Sequence, residues 1–492
     1  IITYGTMATK MAIKDVARVQ KLPLSESDRL CKLVPDKIPD KKLNLPNAIA
    51  YVPELQAAEA SSDPLLRDTI KYAKMLEGNV RGTGVHACGT IICRDDITDW
   101  VPVSTADDKE TGEKMLVTQY EGSVIEDTGL IKMDFLGLKT LSIIKEAVEN
   151  IRLSRNVEVD VDAIDISDPA TYKLYSDGRT IGTFQFESAG MQKYLRELQP
   201  STFEDLIAMN ALYRPGPMDF IPQYIAGKND KTSITYACKE LEPILKETYG
   251  CIVYQEQVME ICRVAAGYSY GRADLVRRAM AKKKHDVMEK ERNIFLYGNK
   301  NDDGTTECCG AIANGINEKT ANEIFDEMSG FASYAFNKSH AAAYAYLSYQ
   351  TAYLKCHYMK EYMAALMSSV LGNTDKLSEY VEECRQNEIK ILRPDINKSY
   401  AEFTAEENGI RYGLLAIKNI GKGIILSIIE EREKNGVFQS LDNFCERTSE
   451  LNISKIIVEN LIKSGSFDNL GANRREMISN YEYIMDLSLI HI

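Results

Sequence analysis

Several patterns that mark common classes of protein are missing from this chain of 492 residues. It has no run of 18 apolar residues, so we expect no transmembrane helix. Its eleven cysteines include no CxxC pair, so we expect reduced, structural or incidental thiols rather than a zinc site. No GxxxxGK[ST] loop occurs, which argues against a Walker A nucleotide site. The opening IITYGTMATK lacks the form of a signal peptide, and we expect a cytoplasmic protein.

Positive charge is also scarce. The chain has 59 Lys and Arg against 72 Asp and Glu, a net charge of −13. This balance disfavours a small basic nucleic-acid-binding domain, although binding depends on the local patch rather than the average. One such patch, RADLVRRAMAKKK (272–284), holds six basic residues and one acid. On a helix Arg278 and Lys282 share a side, and a solvated face or a phosphate-binding surface would both account for them.

The chain is long enough for about three domains. Helical periodicity dominates both ends, and it predicts one long helix over 339–372. Strand-like segments lie between the helical parts and predict one small sheet, at 81–93, 115–120 and 129–137. We therefore predict an α+β fold that is mainly helical.

The segment LIKMDFLGLKTLSII (130–144) predicts a short buried strand, a glycine turn and the start of a helix. Residues two apart in a strand share a face, so Lys132 and Asp134 would lie together, with Met133 and Phe135 packed on the other side. A carboxylate beside a lysine at a strand end suits a divalent metal and a phosphate. An ordinary Lys–Asp pair on an open sheet face is the simpler alternative, because one carboxylate is not a metal site.

Two glycine-rich stretches could bring backbone amides close to phosphate. RGTGVHACG (81–89) predicts a tight loop, in which His86 by itself would be a structural histidine. AIKNIGKGIILSIIEE (416–431) is typical of the hairpin in a helix-hairpin-helix module. There the amides at Gly421, Lys422 and Gly423 would hold a DNA phosphate without reading sequence. A matching helix and glycine turn follow at 451–471.

Many segments in this order resemble bacterial DNA polymerase III alpha subunits, the replicative C-family DNA polymerases. Those that carry the resemblance are IITYGTMATKMAIKDVARV, GVHACGTII, ITDWVPV, LIKMDFLGLKTL, GTFQFESAGM, ALYRPGPM, YGCIVYQEQVM, LVRRAMAKKK, FNKSHAAAYA, SYQTAYLKCHY and LIKSGSFDNLG. The resemblance covers nearly the whole chain. It implies part of a polymerase-beta-like nucleotidyltransferase palm, a helical thumb, helical fingers and a tandem helix-hairpin-helix element.

The same resemblance implies a division of the chain. It predicts palm edge and thumb over 1–80, the C-terminal part of the palm over 81–138, and fingers over 139–400. The tandem helix-hairpin-helix element would occupy 401–482. The tail at 483–492 contains LSLIHI, which is foreign to the family, and we expect it to be non-native.

The implied activity is template-directed addition of deoxynucleotides to a primer 3′ end, by phosphoryl transfer with two Mg²⁺ ions. Asp134 would be one of three metal-binding aspartates, and Lys132 would neutralise triphosphate charge. Arg277, Arg278 and Lys282 would clamp the triphosphate. The implied partners are primer–template DNA and deoxynucleoside triphosphates, with a sliding clamp and other replisome subunits binding through regions outside this chain. No membrane partner is expected.

One departure from the family bears on activity. The other two metal aspartates belong to a Pro-Asp-x-Asp motif expected before IITYGTM, so we expect a fragment that is inactive by itself. Cys88 stands where many relatives carry glycine, which we interpret as a tolerated variation. A non-catalytic DNA-binding or assembly module is the alternative function. A different Mg²⁺-dependent nucleotidyltransferase would need a second carboxylate pair, and none has convincing spacing.

Overall fold

The computed structural model describes residues 1–38, 41–108, 112–281, 285–301, 303–332, 334–451 and 453–490. The chain divides into two compact units, Ile1–Leu138 and Lys139–Ile492, and each is described by itself. Helices predominate and the sheets are small, which confirms the α+β, mainly helical prediction. Within the described ranges, no helix is both long and apolar enough to cross a lipid bilayer.

The first unit begins with a strand, continues through a helical stretch and ends in strands. Its elements are β1 (Ile2–Thr6), α1 (Thr9–Gln20), α2 (Leu24–Leu33), α3 (Leu45–Tyr51), α4 (Pro53–Glu59), α5 (Pro64–Leu76), β2 (Val80–Val85), β3 (Gly89–Ile92), β4 (Val103–Asp107), β5 (Lys114–Thr118), α6 (Gly122–Ile125) and β6 (Ile131–Asp134). Helices α1 to α5 enclose one core, in which Ile13, Leu30 and Ile70 are fully buried. Their apolar residues recur at helical spacing, so each helix turns one stripe toward that core.

The strands of this unit form ladders rather than the single sheet that the sequence predicts. Among the described residues, β1 pairs with β2, β3 with β6 and β4 with β5, each pair antiparallel. Gly82 and Gly84 lie inside β2, so the tight loop predicted over 81–89 is wrong in its first half. Strand propensity marks which segments are extended, but it does not select the partner of each strand.

The second unit is built from helices with short strands between them. Its helices are α7 (Lys139–Arg155), α8 (Pro169–Ser176), α9 (Ala189–Leu198), α10 (Phe203–Leu212), α11 (Ile221–Asn229), α12 (Glu242–Leu245), α13 (Gln255–Ala266), α14 (Tyr270–Ala281), α15 (His285–Tyr297), α16 (Glu318–Ala332), α17 (Lys338–His357), α18 (Met359–Ser368), α19 (Thr374–Gln386), α20 (Lys422–Asn435), α21 (Leu441–Arg447), α22 (Lys455–Ser464) and α23 (Arg474–Ile490). Its strands are β7 (Asn299–Lys300), β8 (Thr306–Cys308), β9 (Ile391–Leu392), β10 (Thr404–Glu406) and β11 (Gly409–Arg411).

The single helix predicted over 339–372 is two helices in the structure. Tyr358, at φ −136° and ψ 47°, leaves the helical region and separates α17 from α18. Asn337 caps α17, since its side chain accepts a hydrogen bond from the His340 amide at 2.8 Å. Apolar periodicity continues across the break, which is why the pattern alone does not reveal it.

A buried ion pair joins α17 to α19. Lys355 Nζ lies 2.7 Å from Glu383 Oε1, and the two side chains are only 2% and 6% exposed. The same ammonium donates to the carbonyl oxygens of Arg179 and Ile181 at 2.7 and 2.8 Å. Burial lowers the pKa of Lys355 from its ordinary value, and the Glu383 carboxylate opposes that shift. Three acceptors around one ammonium compensate for the loss of water that burial imposes.

We expect Lys355→Met to lower the free energy of unfolding by about 3–5 kcal/mol, because it leaves the Glu383 carboxylate buried without its cation. Urea denaturation at neutral pH measures the change. The matched control is Lys319→Met, which removes an exposed lysine 3.9 Å from Glu323 and should cost less than about 1 kcal/mol. Equal effects of the two substitutions would contradict a structural role for the buried pair.

Candidate active site

The ladder between β3 and β6 positions the candidate site in the first unit. Gly89 lies opposite Asp134 and Ile91 opposite Lys132. The Phe135 amide donates to the Cys88 carbonyl oxygen at 2.9 Å, which extends the pairing by one residue. This register places the end of the glycine-rich segment directly beside the aspartate.

Lys132 and Asp134 share a face of β6, as the two-residue period predicts. Lys132 Nζ lies 3.2 Å from Asp134 Oδ1, with the side chains 23% and 51% exposed. The expectation of a buried strand is wrong, because Ile131 is 68% exposed and Phe135 63% exposed. Met133 is exposed as well, so the predicted packing of the opposite face is also wrong. In the described residues β6 pairs only with β3, and a two-stranded ladder buries little of either face.

His86 and Cys88 complete a cluster around Asp134 that sequence reasoning did not assemble. His86 Nδ1 accepts hydrogen bonds from the Gly89 amide at 2.7 Å and the Cys88 amide at 3.3 Å. Cys88 Sγ lies 3.8 Å from both His86 Nδ1 and Asp134 Oδ1. The imidazole, thiol and carboxylate each place one ligand atom within 4.8 Å of the others. The sequence indicated the glycine-rich segment at 81–89 and the strand with Asp134 as separate motifs. Only the strand register brings them together.

Gly89 permits this close approach. A Cβ at its position would come within 2.8 Å of His86 Nδ1, 2.9 Å of Lys132 Cε and 3.0 Å of Ile1 Cδ1. Beside it lies a cavity of about 490 Å³, lined by His86, Cys88 and Phe135 among others. The absence of a side chain at Gly89 therefore leaves space for the polar groups that surround Asp134.

The donor atoms around Asp134 are of mixed type. Mg²⁺ takes oxygen ligands in octahedral geometry, and a two-metal centre needs several of them from carboxylates. The described residues of the cluster offer one carboxylate, one imidazole nitrogen and one thiol sulfur. This set does not fit a pair of Mg²⁺ ions.

The predicted triphosphate clamp lies on α14 in the second unit. Arg277 and Arg278 both bind the Asp274 carboxylate, at 2.8 and 2.7 Å, and their side chains are 16% and 64% exposed. The hydrogen bond from Arg277 contributes most to lowering the pKa of Asp274. These pairs were not predicted from the sequence, although the i, i+3 and i, i+4 spacings of Asp274 to the two arginines could have indicated them. Lys282, the third predicted member, lies outside the described residues.

The predicted hairpin amides lie at the start of α20. Gly421 is its N-cap residue and provides no side-chain cap, so Lys422 and Gly423 begin the helix with amides available to a ligand. A Cβ at Gly421 or Gly423 would meet nothing within 4 Å. Buried Ile420 and Ile425 hold this turn against the core.

The second predicted glycine turn differs from the first. Gly465 ends α22 at φ +88°, in the left-handed region that favours glycine. The guanidinium of Arg474 fills the space beside Gly465 and binds Asp468 at 2.6 Å. The space beside Gly465 is therefore filled, unlike the space beside Gly421 and Gly423.

Comparison with known proteins gives matches along most of the chain. Residues 1–137 match the family described as the bacterial DNA polymerase III alpha NTPase domain, residues 140–303 match the bacterial DNA polymerase III alpha subunit finger domain, and residues 388–477 match a helix-hairpin-helix motif. DNA polymerase III subunit alpha of Borreliella burgdorferi is 43% identical over 489 residues, which cover 99% of this chain and 40% of the relative. The chain belongs to the bacterial DNA polymerase III alpha subunit family.

Other members of the DNA polymerase III alpha family are about equally similar. The subunit from Chlamydia muridarum is 44% identical over 474 residues, covering 96% of this chain and 37% of the relative. The subunit from Thermus aquaticus is 44% identical over 482 residues, covering 97% of this chain and 38% of the relative. The chain thus spans about two-fifths of the length of the curated relatives it matches.

The candidate residues are distributed over the three matched regions. Lys132 and Asp134 fall in the NTPase-domain match, Arg277 and Arg278 in the finger match, and 421–423 in the helix-hairpin-helix match. Membership of the DNA polymerase III alpha family does not by itself assign a role to any of them, so these roles stay predictions.

We expect Gly89→Ala to lower the free energy of unfolding by about 1–3 kcal/mol, because the added methyl group forces His86 and Lys132 to move. Urea denaturation measures this change in the free energy of unfolding. The control is Gly82→Ala on exposed β2, where a Cβ meets nothing within 4 Å and the change should be near zero. A neutral Gly89→Ala would contradict the close packing around Asp134.

Proposed function

We propose that this chain is part of the catalytic subunit of a bacterial replicative DNA polymerase, which adds deoxynucleotides to a primer 3′ end under template direction. The observation that carries the proposal is the co-linear order of the three family matches, each of which contains one group of candidate residues. In this proposal residues 81–138 are the C-terminal part of a polymerase-beta-like palm. Residues 1–80 contribute palm edge and thumb, 139–400 the fingers, and 401–482 the helix-hairpin-helix element.

The proposed phosphate contacts share one electrostatic property. Lys132 lies against Asp134, and Arg277 and Arg278 share Asp274, so each cation has a carboxylate partner while it remains partly exposed. A triphosphate oxygen can replace such a carboxylate, because guanidinium and ammonium groups bind phosphate by the same charge-assisted hydrogen bonds. Arg278, at 64% exposure, is the more accessible of the two arginines.

Catalysis in the whole protein would use two Mg²⁺ ions, with Asp134 as one ligand. Since the described cluster supplies a single carboxylate, we propose that the chain alone does not add nucleotides. Primer–template DNA and deoxynucleoside triphosphates are the proposed partners. A sliding clamp and other replisome subunits would bind outside this chain, in the bacterial cytoplasm.

For the chain by itself, a non-catalytic DNA-binding module is the second candidate. The open amides at 421–423 favour it, because they can hold a backbone phosphate with no contribution from the site at Asp134.

We expect Asp134→Asn in the full-length polymerase to abolish nucleotide addition while primer–template binding stays close to that of the parent. Primer extension and a gel shift measure the two properties. The control is Asp127→Asn, which alters an exposed aspartate of the same unit and should leave extension unchanged. Near-normal primer extension by Asp134→Asn would show that Asp134 is not a metal ligand of the proposed site.

We expect the double variant Gly421→Ala, Gly423→Ala to bind duplex DNA about 10-fold more weakly, with its thermal stability preserved, because the methyl groups point into open space where phosphate would lie. A gel shift over a salt series measures binding, which should fall steeply with salt in the parent chain. Gly372→Ala is the control, since a Cβ there also meets nothing. Unchanged affinity in the double variant would contradict the hairpin contact.

A further inference from the structure

The cluster at Asp134 has the donor types of a different kind of metal site. Zn²⁺ binds thiolate at about 2.3 Å and imidazole or carboxylate at about 2.0 Å, so neighbouring ligand atoms of a tetrahedral site with one thiolate lie roughly 3.3–3.5 Å apart. The Sγ of Cys88 lies 3.8 Å from His86 Nδ1 and 3.8 Å from Asp134 Oδ1. All three ligand atoms fall within 4.8 Å of one another. Two of the three edges are therefore within about 0.3 Å of tetrahedral length, which a small movement of the side chains can close.

The surroundings leave access for an ion. His86 and Cys88 are half-buried and Asp134 is half-exposed, and the adjoining cavity of about 490 Å³ has room for water as a fourth ligand. Three contacts oppose binding. His86 Nδ1 must exchange its hydrogen bonds from the Gly89 and Cys88 amides for the ion, and Lys132 lies 3.2 Å from the carboxylate. All three contacts involve the ligand atoms themselves, so binding is an exchange of partners rather than an unfolding of the ladder.

We propose that His86, Cys88 and Asp134 form a binding site for a thiophilic divalent metal ion of the Zn²⁺ class. On binding, the S–H bond of Cys88 breaks, its proton leaves to water and a metal–sulfur bond forms, with no change of oxidation state. Mg²⁺ is a poor competitor at the thiolate, because it prefers hard oxygen ligands. Cys88 is thus a metal ligand rather than a neutral replacement for glycine.

The consequence for catalysis rests on the proposed function. An ion held by Cys88 and His86 occupies the carboxylate of Asp134 that nucleotide addition requires. A bound thiophilic metal ion therefore inhibits nucleotide addition. The Cys88 thiol is the group that makes this chain sensitive to such an ion.

A second cluster of Asp168, Cys356 and His357 has similar donor types in the second unit. There one carboxylate oxygen, Asp168 Oδ2, already accepts from the Thr171 amide and hydroxyl at 2.8 and 2.6 Å, and lies 2.9 Å from His357 Nε2. This oxygen caps α8, so it is committed to holding the helix. We therefore assign this cluster a structural role. Its cysteine, Cys356, provides a control for the metal-binding test.

Co²⁺ is the probe, because its thiolate complexes absorb light through sulfur-to-metal charge transfer. The reduced 492-residue chain is titrated with Co²⁺ in the absence of DNA. We expect one equivalent to give the charge-transfer band and Zn²⁺ to displace it, while excess Mg²⁺ leaves it in place. Cys88→Ser should abolish the band, Asp134→Asn should weaken binding at least about 10-fold, and Lys132→Ala should strengthen it.

Cys93→Ser and Cys356→Ser are the matched controls, since both remove half-buried thiols outside the cluster, and both should keep the band. Circular dichroism establishes that each variant is folded, and Cys88→Gly provides a second test at the same position. No band in the parent chain, a band retained in Cys88→Ser, or a band lost in Cys356→Ser would each overturn the proposal. Displacement of Co²⁺ by Mg²⁺ at equal concentration would do so as well. None of these outcomes involves nucleotide addition, so the metal site and the polymerase proposal fail independently.

Discussion

The antiparallel pairing of β3 with β6 is the constraint on which the candidate site depends. It sets Gly89 opposite Asp134, and the missing side chain at Gly89 leaves room for the His86 ring and the Lys132 stem. Because side chains alternate along a strand, a slip of one residue would turn Asp134 to the opposite face. The thiol, imidazole and carboxylate meet only in the observed register.

The ion pair of Lys355 with Glu383 and that of Arg278 with Asp274 differ in how far they are buried. Lys355 and Glu383 are almost completely buried, and their pair fastens α17 to α19. The basic groups proposed to contact phosphate are paired as well, but they remain accessible to solvent. Arg278 is the clearest case, since its guanidinium is exposed while it binds Asp274. An exposed pair contributes little to stability, so its cation can change partners at small cost.

Prediction from the sequence succeeded where the physics is local. The two-residue period of a strand placed Lys132 beside Asp134, and the glycines predicted to expose amides at 421–423 lie at the start of a helix. Prediction failed where distant segments decide the outcome. The strand at 131–134 was expected to be buried, because apolar residues alternate with and flank its two charged ones, yet burial depends on what packs against it. The break at Tyr358 was missed since apolar residues continue on both sides of it.

The amino-acid sequence by itself determined the family, the helical character and the types of residue at each candidate position, because these follow from ordered motifs and short-range periodicity. It also indicated the glycine turn at 421–423, whose geometry is local. Only the tertiary structure decided that Cys88 and His86 stand beside Asp134, and that Lys355 pairs with Glu383. The physical reason is that strand register and side-chain pairing are settled by packing between segments, which no local pattern encodes.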